Sequence, residues 1–312
     1  MHVLVTGAAG FLGRAVVEAA LARGHRVTAS VRTSRGAVPA GAVEAAVDLA
    51  APGAVTAVLA GVDVVVHCAG SLTGGEAAQR RDTVEATGHL VRAMAGAGVG
   101  RIVLASSMAV YDLTRLAAGA VLDERAPLDD GGEARGPYIR AKRAQEAAVT
   151  DPALGLDWRI LRPGLVFGPG RTWFHQLGLV VHPRLWVSLA GAAALPITYV
   201  ENCAAAFVAA AEASAGRTAA LVVDDDLPTR REYLAVLARH AQPSPLVVDL
   251  PWAVLSPIGT AAAAVGLTPG LLHPDRLAAR CKPLRYSNAA ATAAWGWRPR
   301  VGVAEALTRS LA

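Results

Sequence analysis

The apolar residues of this chain gather into short unbroken runs, and the stretches between the runs are Ala-rich with polar residues recurring at helical spacing. Residues 3–6, 27–31, 62–68, 101–106 and 158–162 read as strands, with 12–23, 82–97 and 138–149 as helices between them. Continuous rather than alternating apolarity belongs to strands buried on both faces, as in a parallel sheet covered by helices. The pattern predicts an α/β fold of the Rossmann type, a doubly wound parallel sheet. Beyond Pro169 the texture changes to Trp, His and Pro among short apolar pieces. There, 197–200 and 219–223 are expected as strands returning to the sheet, and 229–239 and 302–310 as helices. The predicted organisation is a doubly wound domain over residues 1–170 that takes back the segment 197–224, with a smaller substrate-binding lobe from 171–196 and 225–312.

The first strand runs into Thr6-Gly7-Ala8-Ala9-Gly10-Phe11-Leu12-Gly13. Gly7 permits a tight turn, Gly10 lets backbone approach a phosphate, and Gly13 lets the helix pack on the strand, so this unit suits a dinucleotide pyrophosphate. The helix N-terminus adds free N–H groups and positive dipole charge for the anion.

The net charge of +5 is spread over dispersed arginines, with no basic run interleaved with aromatics, so nucleic acid is not an expected partner. Cys68, Cys203 and Cys281 stand apart without CxxC or His pairing, which predicts no disulfide framework, no metal site and a reducing cytoplasm. A strand already at residue 2 argues against a secretory leader. The longest apolar stretch, 251–272, is broken by Pro257, Gly259, Gly266, Pro269 and Gly270, so no membrane span is expected.

Lysine occurs only at Lys142 and Lys282, although Lys and Arg together number 30. Where arginine fills nearly every cationic position, a lysine marks a place that needs a compact ammonium. Lys142 follows Tyr138 by four residues, so the two share a helix face and the ammonium can stand beside the phenol. A fixed cation favours the phenolate of a side chain that otherwise titrates near about pH 10. Ser107, leaving the strand 101–106 at the carboxyl edge of the sheet, is placed to hydrogen-bond a substrate oxygen.

With these motifs in this order, the chain resembles the extended short-chain dehydrogenase/reductase family, within the NAD-dependent epimerase/dehydratase superfamily, over nearly its full length. The matching pieces are the glycine turn, His67-Cys68-Ala69-Gly70, Ser106-Ser107 before Val110-Tyr111, Tyr138 with Lys142, and Arg162-Pro163-Gly164-Leu165-Val166-Phe167-Gly168-Pro169-Gly170. The pattern is most similar to the dihydroflavonol reductase and 3β-hydroxysteroid dehydrogenase-like branches. The resemblance implies an enzyme in which Ser107 anchors the substrate oxygen, Tyr138 is the general acid/base, and Lys142 holds ribose hydroxyls and lowers the pKa of the tyrosine. It implies cofactor contacts from Thr6, Gly7, Gly10, Phe11, Leu12 and Gly13, with Asp48 and Leu49 at the adenine. Ala69 and Gly70 would lie near the pyrophosphate and ribose, and Pro163 and Val166 at the nicotinamide. A homodimer paired through two helices of the Rossmann domain is implied as well. The chain departs from the family at Glu85, where an Asn is frequent three residues ahead of a glycine, so no relay through an asparagine is expected there.

The second strand indicates the cofactor. NAD sites place a carboxylate roughly twenty residues past the glycines, whereas NADP sites offer an arginine to the 2′-phosphate. Ala29-Ser30-Val31-Arg32-Thr33-Ser34-Arg35 holds no carboxylate, so Arg32, with Arg35 behind it, predicts NADP over the alternative NAD. Residues 171–177 and the apolar stretch through Trp186, with Phe174 and Leu177, are expected to roof the pocket. Ser71, Met108, Trp173, His175 and Trp186 are the expected substrate contacts. Arg171, Arg184 and His175 are the obvious partners for a buried diphosphate, which would need several paired donors. The predicted activity is therefore NADP(H)-dependent hydride transfer between nicotinamide and a carbonyl or alcohol of a largely apolar small molecule. A nucleotide-sugar epimerase or dehydratase using bound NAD shares the same motifs. Against the third reading, a non-catalytic dinucleotide-binding sensor, stand intact Ser107, Tyr138 and Lys142.

Overall fold

The computed structural model describes residues 1–33, 38–130, 136–214, 216–264 and 274–312. Arg35, and residues 265–272 of the long apolar stretch, lie outside them. The first half runs β1 (His2–Thr6), α1 (Phe11–Ala22), β2 (Arg26–Val31), β3 (Val43–Ala46), β4 (Val64–His67), α2 (Glu76–Gln79), α3 (Ala86–Ala97), β5 (Arg101–Ala105), β6 (Val121–Leu122) and α4 (Pro137–Val149). The second half runs β7 (Asp157–Pro163), β8 (Leu165–Phe167), β9 (Gly178–His182), β10 (Leu185–Leu189), β11 (Ile197–Tyr199), α5 (Val200–Glu212) and β12 (Thr218–Val222). It ends with α6 (Arg230–His240), β13 (Leu246–Leu250), α7 (Trp252–Ala264), α8 (Pro274–Cys281), β14 (Arg285–Tyr286), α9 (Ala289–Trp295) and α10 (Val303–Leu311).

Seven parallel strands make the central sheet in the order β12-β7-β5-β4-β1-β2-β3. Its strands are apolar on both faces because both faces are covered. On one side α1 buries Val16, Val17 and Ala20 with Cys203 and Phe207 of α5; on the other, Leu90, Val91 and Met94 of α3 meet Val149 of α4. Each of the valine, leucine, methionine and phenylalanine side chains among them contributes roughly 1.5–3 kcal/mol relative to exposure. The chain lays β1 to β3 out in one direction and β4, β5, β7 and β12 in the other. The loops leaving β1 and β4 therefore diverge and open a crevice at their carboxyl ends, where sheets of this kind bind ligands.

The structure corrects the expected return of residues 197–200 to this sheet. β11 pairs with β8 in a separate two-stranded sheet, and β12 alone extends the large one. At Gly164, between β7 and β8, the incoming chain comes so close that an added Cβ would meet the Pro196 carbonyl oxygen at 2.3 Å. Only glycine lets the incoming chain close over the end of β7 and pair there. β13, β10 and β9 form a third sheet. Among the described residues no helix is long and apolar enough to cross a membrane.

Candidate active site

The crevice widens into a cavity of about 1170 Å³. One end is the glycine turn, lined by Gly7, Gly10, Phe11, Leu12 and Gly13. Gly7 has φ +68°, and a Cβ on it would stand 2.8 Å from the Ala69 amide nitrogen. A Cβ on Gly13 would stand 2.1 Å from the Gly7 carbonyl oxygen. The turn is thus walled by backbone alone, and α1 begins without a side-chain cap on its first N–H groups. Such a cradle fits a dinucleotide pyrophosphate. Ala69, Gly70, Pro163 and Val166 line the same cavity, whereas Thr6 lies beneath it with its hydroxyl committed to His67 and the Ala69 amide.

Asp48, Leu49 and Arg32 sit together at the rim of this end. The absence of a carboxylate near Arg32, expected from the second strand, does not hold in three dimensions. Arg32 Nη2 lies 3.1 Å from Asp82, and Arg81 pairs with both Asp82 and Asp48. Asp82 comes from a π-helical turn, Arg80–Glu85, that joins α2 to α3. Strand-local sequence carries no trace of it.

At the far side of the turn stand Ser107, Tyr138 and Lys142. Gly136, at φ +85°, and Pro137 at the first helical position start α4 directly before the tyrosine. The Ala109 amide donates to Ser107 Oγ at 3.2 Å, and the serine side chain lies in the same cavity as the Tyr138 phenol. Burial raises the Tyr138 pKa above its ordinary value, against smaller lowering effects of the Ser107 side chain and the charge of Arg171. Among the cations, the charge of Arg171 is the one that lowers the phenol's pKa. Lys142 Nζ is drawn inward, donating to the Ala105 carbonyl at 2.8 Å and to Gln145 Oε1 at 2.9 Å. Burial lowers its pKa to about 8.

A buried polar chain holds that lysine in place. Thr87 Oγ1 donates its one proton to the Thr83 carbonyl at 2.6 Å, so it accepts from Gln145 Nε2 at 2.7 Å and from His67 Nε2 at 2.9 Å. His67 consequently carries its proton on Nε2, and Nδ1 accepts from Thr6 Oγ1 at 2.7 Å. Burial, reinforced by the Lys142 charge, pushes the His67 pKa down to about 3 and keeps the ring neutral. Gln145 is a site residue that sequence reading missed, since besides Lys142 on its own helix its partners are His67 and Ala69 at the end of β4 and Thr87 of α3. Glu85 is exposed and pairs with Arg80 at 3.4 Å, away from this chain.

The remaining wall departs from the apolar roof expected over it. Met108, Trp173, Phe174 and His175 line the cavity, but Ser71 and Trp186 do not. Ser71 Oγ donates to the Thr73 carbonyl, and Trp186 packs edge-on against Trp173 with ring centroids 5.1 Å apart. Leu177 is fully buried in the core between β8 and α6, and Arg184 does not line the cavity. Aromatic and leucine side chains there are consumed by packing that the linear pattern cannot show. In exchange the lobe contributes Arg230, Arg276, Arg280, Lys282 and Tyr286. Of these only Lys282 carries a sequence signal, its rarity, and its role is structural. Its ammonium donates to the carbonyls of Leu113, Thr114 and Leu116 at 2.8, 3.0 and 2.8 Å, three bonds that a planar guanidinium could not gather at one point.

A glycine cradle at the switch of a parallel sheet, joined by one cavity to Ser107, Tyr138 and Lys142, defines an NAD(P)-dependent enzyme of the extended short-chain dehydrogenase/reductase type. Residues 3–223 match the model of the NAD dependent epimerase/dehydratase family, and the chain belongs to that family. It is 29% identical to the 2-alkyl-3-oxoalkanoate reductase of Stenotrophomonas maltophilia, covering 99% of this chain and 98% of that protein. It is 36% identical to a 3-diazoavenalumate denitrifying reductase from Streptomyces, covering 73% of this chain and 77% of that one. The fold is also that of a putative epimerase from Burkholderia cenocepacia, with a TM-score of 0.75 and 26% identity over 99% of this chain and 96% of the other.

Proposed function

We propose that this enzyme transfers hydride, with NADP(H), to or from a carbonyl or alcohol carbon of a largely apolar small molecule. One observation carries the reading: Ser107, Tyr138 and Lys142 share a single cavity with the glycine cradle. Pro163 and Val166 would hold a nicotinamide, which would supply or accept the hydride. Ser107 holds the substrate oxygen by a hydrogen bond, and Tyr138 gives that oxygen its proton on reduction and takes it back on oxidation. Lys142, with two N–H groups engaged by Ala105 and Gln145, has its third for a ribose hydroxyl. The apolar wall of Met108, Leu113, Trp173 and Phe174 suits a hydrophobic substrate, and the reductases among the relatives favour reduction over epimerisation.

Ring-bearing hydrophobic ketones are expected to raise the melting temperature of the nucleotide-bound protein more than UDP- or TDP-sugars do, because a ligand stabilises the state it binds. A nucleotide sugar that stabilises where no ketone does would replace this reading with the epimerase or dehydratase.

The cofactor part of the proposal rests on Arg32 and Arg81 at the adenosine rim. A 2′-phosphate would displace Asp82 from Arg32, and both cations are exposed enough for solvent to weaken the existing pairs. NADPH is expected to bind at least about tenfold more tightly than NADH, roughly 1.4 kcal/mol. Arg32→Ala should remove most of that difference and Asp82→Asn should widen it. Calorimetric titration of both nucleotides decides; equal affinities, or tighter NADH, return the cofactor to NAD.

A further inference from the structure

We propose that the cavity ends in an anion-binding subsite centred on Arg230, so that the substrate of the hydride transfer proposed above carries a carboxylate on its otherwise apolar frame. The inference rests on that reading for the chemistry at the carbonyl, and on separate residues for the anion.

Arg230 is only 2% exposed, yet its side chain lines the cavity. Nη2 donates to the Arg280 carbonyl, while Nε and Nη1 are buried and meet no acceptor among the described residues. An arginine cannot escape such a position by releasing its proton, so the charge stays in a place that disfavours it. Unpaired buried donors of this kind call for a group that completes them. The neighbouring residue shows the contrast: Arg231 is exposed and paired with Asp249 at 2.7 Å.

The inward placement is built by the local sequence. Thr229 and Glu232 form a capping box at the start of α6, and the Arg230 amide donates to the Ala193 carbonyl at 3.1 Å. These bonds fix which of the two adjacent arginines faces the cavity.

Charge is distributed along the cavity in the same sense. Its lining carboxylates, Asp48 and Asp82, both stand at the adenosine rim. The opposite end is lined by Arg230, Arg276, Arg280 and Lys282, with the Tyr286 phenol, and by no described Asp or Glu. Between them, Met108, which follows Ser107 in the chain, clusters with Leu113 and Tyr286. A substrate reaching from Ser107 to Arg230 therefore crosses an apolar floor and ends among cations. A carboxylate answers that arrangement with charge-assisted hydrogen bonds. The diphosphate of a nucleotide sugar offers the same anionic oxygens, and the test separates the two.

The probes are phenyl-substituted oxo-alkanoates, their methyl esters and UDP-glucose, each added to the NADPH-loaded protein. The acids are expected to exceed their esters at least about tenfold in kcat/KM and to give the larger rise in melting temperature. Arg230→Met should bring the acid-to-ester ratio to about one, and Arg230→Lys should retain part of the preference. Without any probe, Arg230→Met should melt higher than the wild type, since it replaces an uncompensated charge with an apolar side chain of similar length. Equal response to acids and esters in the wild type, or an acid preference that survives Arg230→Met, overturns the subsite. Stabilisation by UDP-glucose through Arg230, with none from any acid, overturns the carboxylate. Acid binding that depends on Arg230 without NADPH oxidation by any probe leaves the subsite standing and removes the reductase reading.

Discussion

Tyr138→Phe is expected to lower kcat by at least about a hundredfold while nucleotide affinity stays within a factor of about two. A phenyl ring fills the same space but has no proton to give the substrate oxygen. The structure adds a reason for the size of the loss. The phenol shares its cavity with Ser107 and Lys142, and both Ser107 and Arg171 lower its pKa against the effect of burial. Lys142→Arg should also be poor, because the ammonium sits almost fully buried between the Ala105 carbonyl and Gln145, where the wider guanidinium does not fit. Steady-state turnover on a stabilising ketone, with nucleotide binding measured separately, checks both. Wild-type turnover by Tyr138→Phe would remove the tyrosine from the chemistry.

Glu146→Ala is expected to destabilise the fold by about 3–5 kcal/mol, lowering the melting temperature by on the order of 10 °C. Glu146 accepts from Arg162 Nε at 2.9 Å and Nη2 at 2.8 Å, with both residues buried, and Ser106 Oγ donates to the same carboxylate. Despite the desolvation, this pairing holds the Arg162 pKa above its ordinary range. Removing the carboxylate leaves that guanidinium charged and alone against Tyr111, whose hydroxyl it reaches at 3.1 Å. Glu146 also ties α4, the helix of Tyr138 and Lys142, to β7, so activity should fall with stability. Glu146→Gln keeps the shape and some hydrogen bonds and should lie between. An unchanged melting temperature in Glu146→Ala would show that the pair contributes nothing net.

The sequence by itself determined the strands at 3–6, 101–106 and 158–162, the glycine turn, and the face shared by Tyr138 and Lys142. Each of these depends on residues within one turn or one strand, so the spacing of side chains carries the information directly. It did not determine what those side chains meet. Arg32 and Asp82 are fifty positions apart, Lys282 finds its carbonyls some 166 to 169 residues upstream, and the Pro196 carbonyl closes over Gly164, about thirty residues earlier. The burial of Tyr138 beside Arg171, the proton on His67, the support of Lys142 by Gln145 and the buried donors of Arg230 were decided only by tertiary structure. Hydrogen bonds and charges act over a few ångströms in space, and only the folded chain sets which distant segments come within that range.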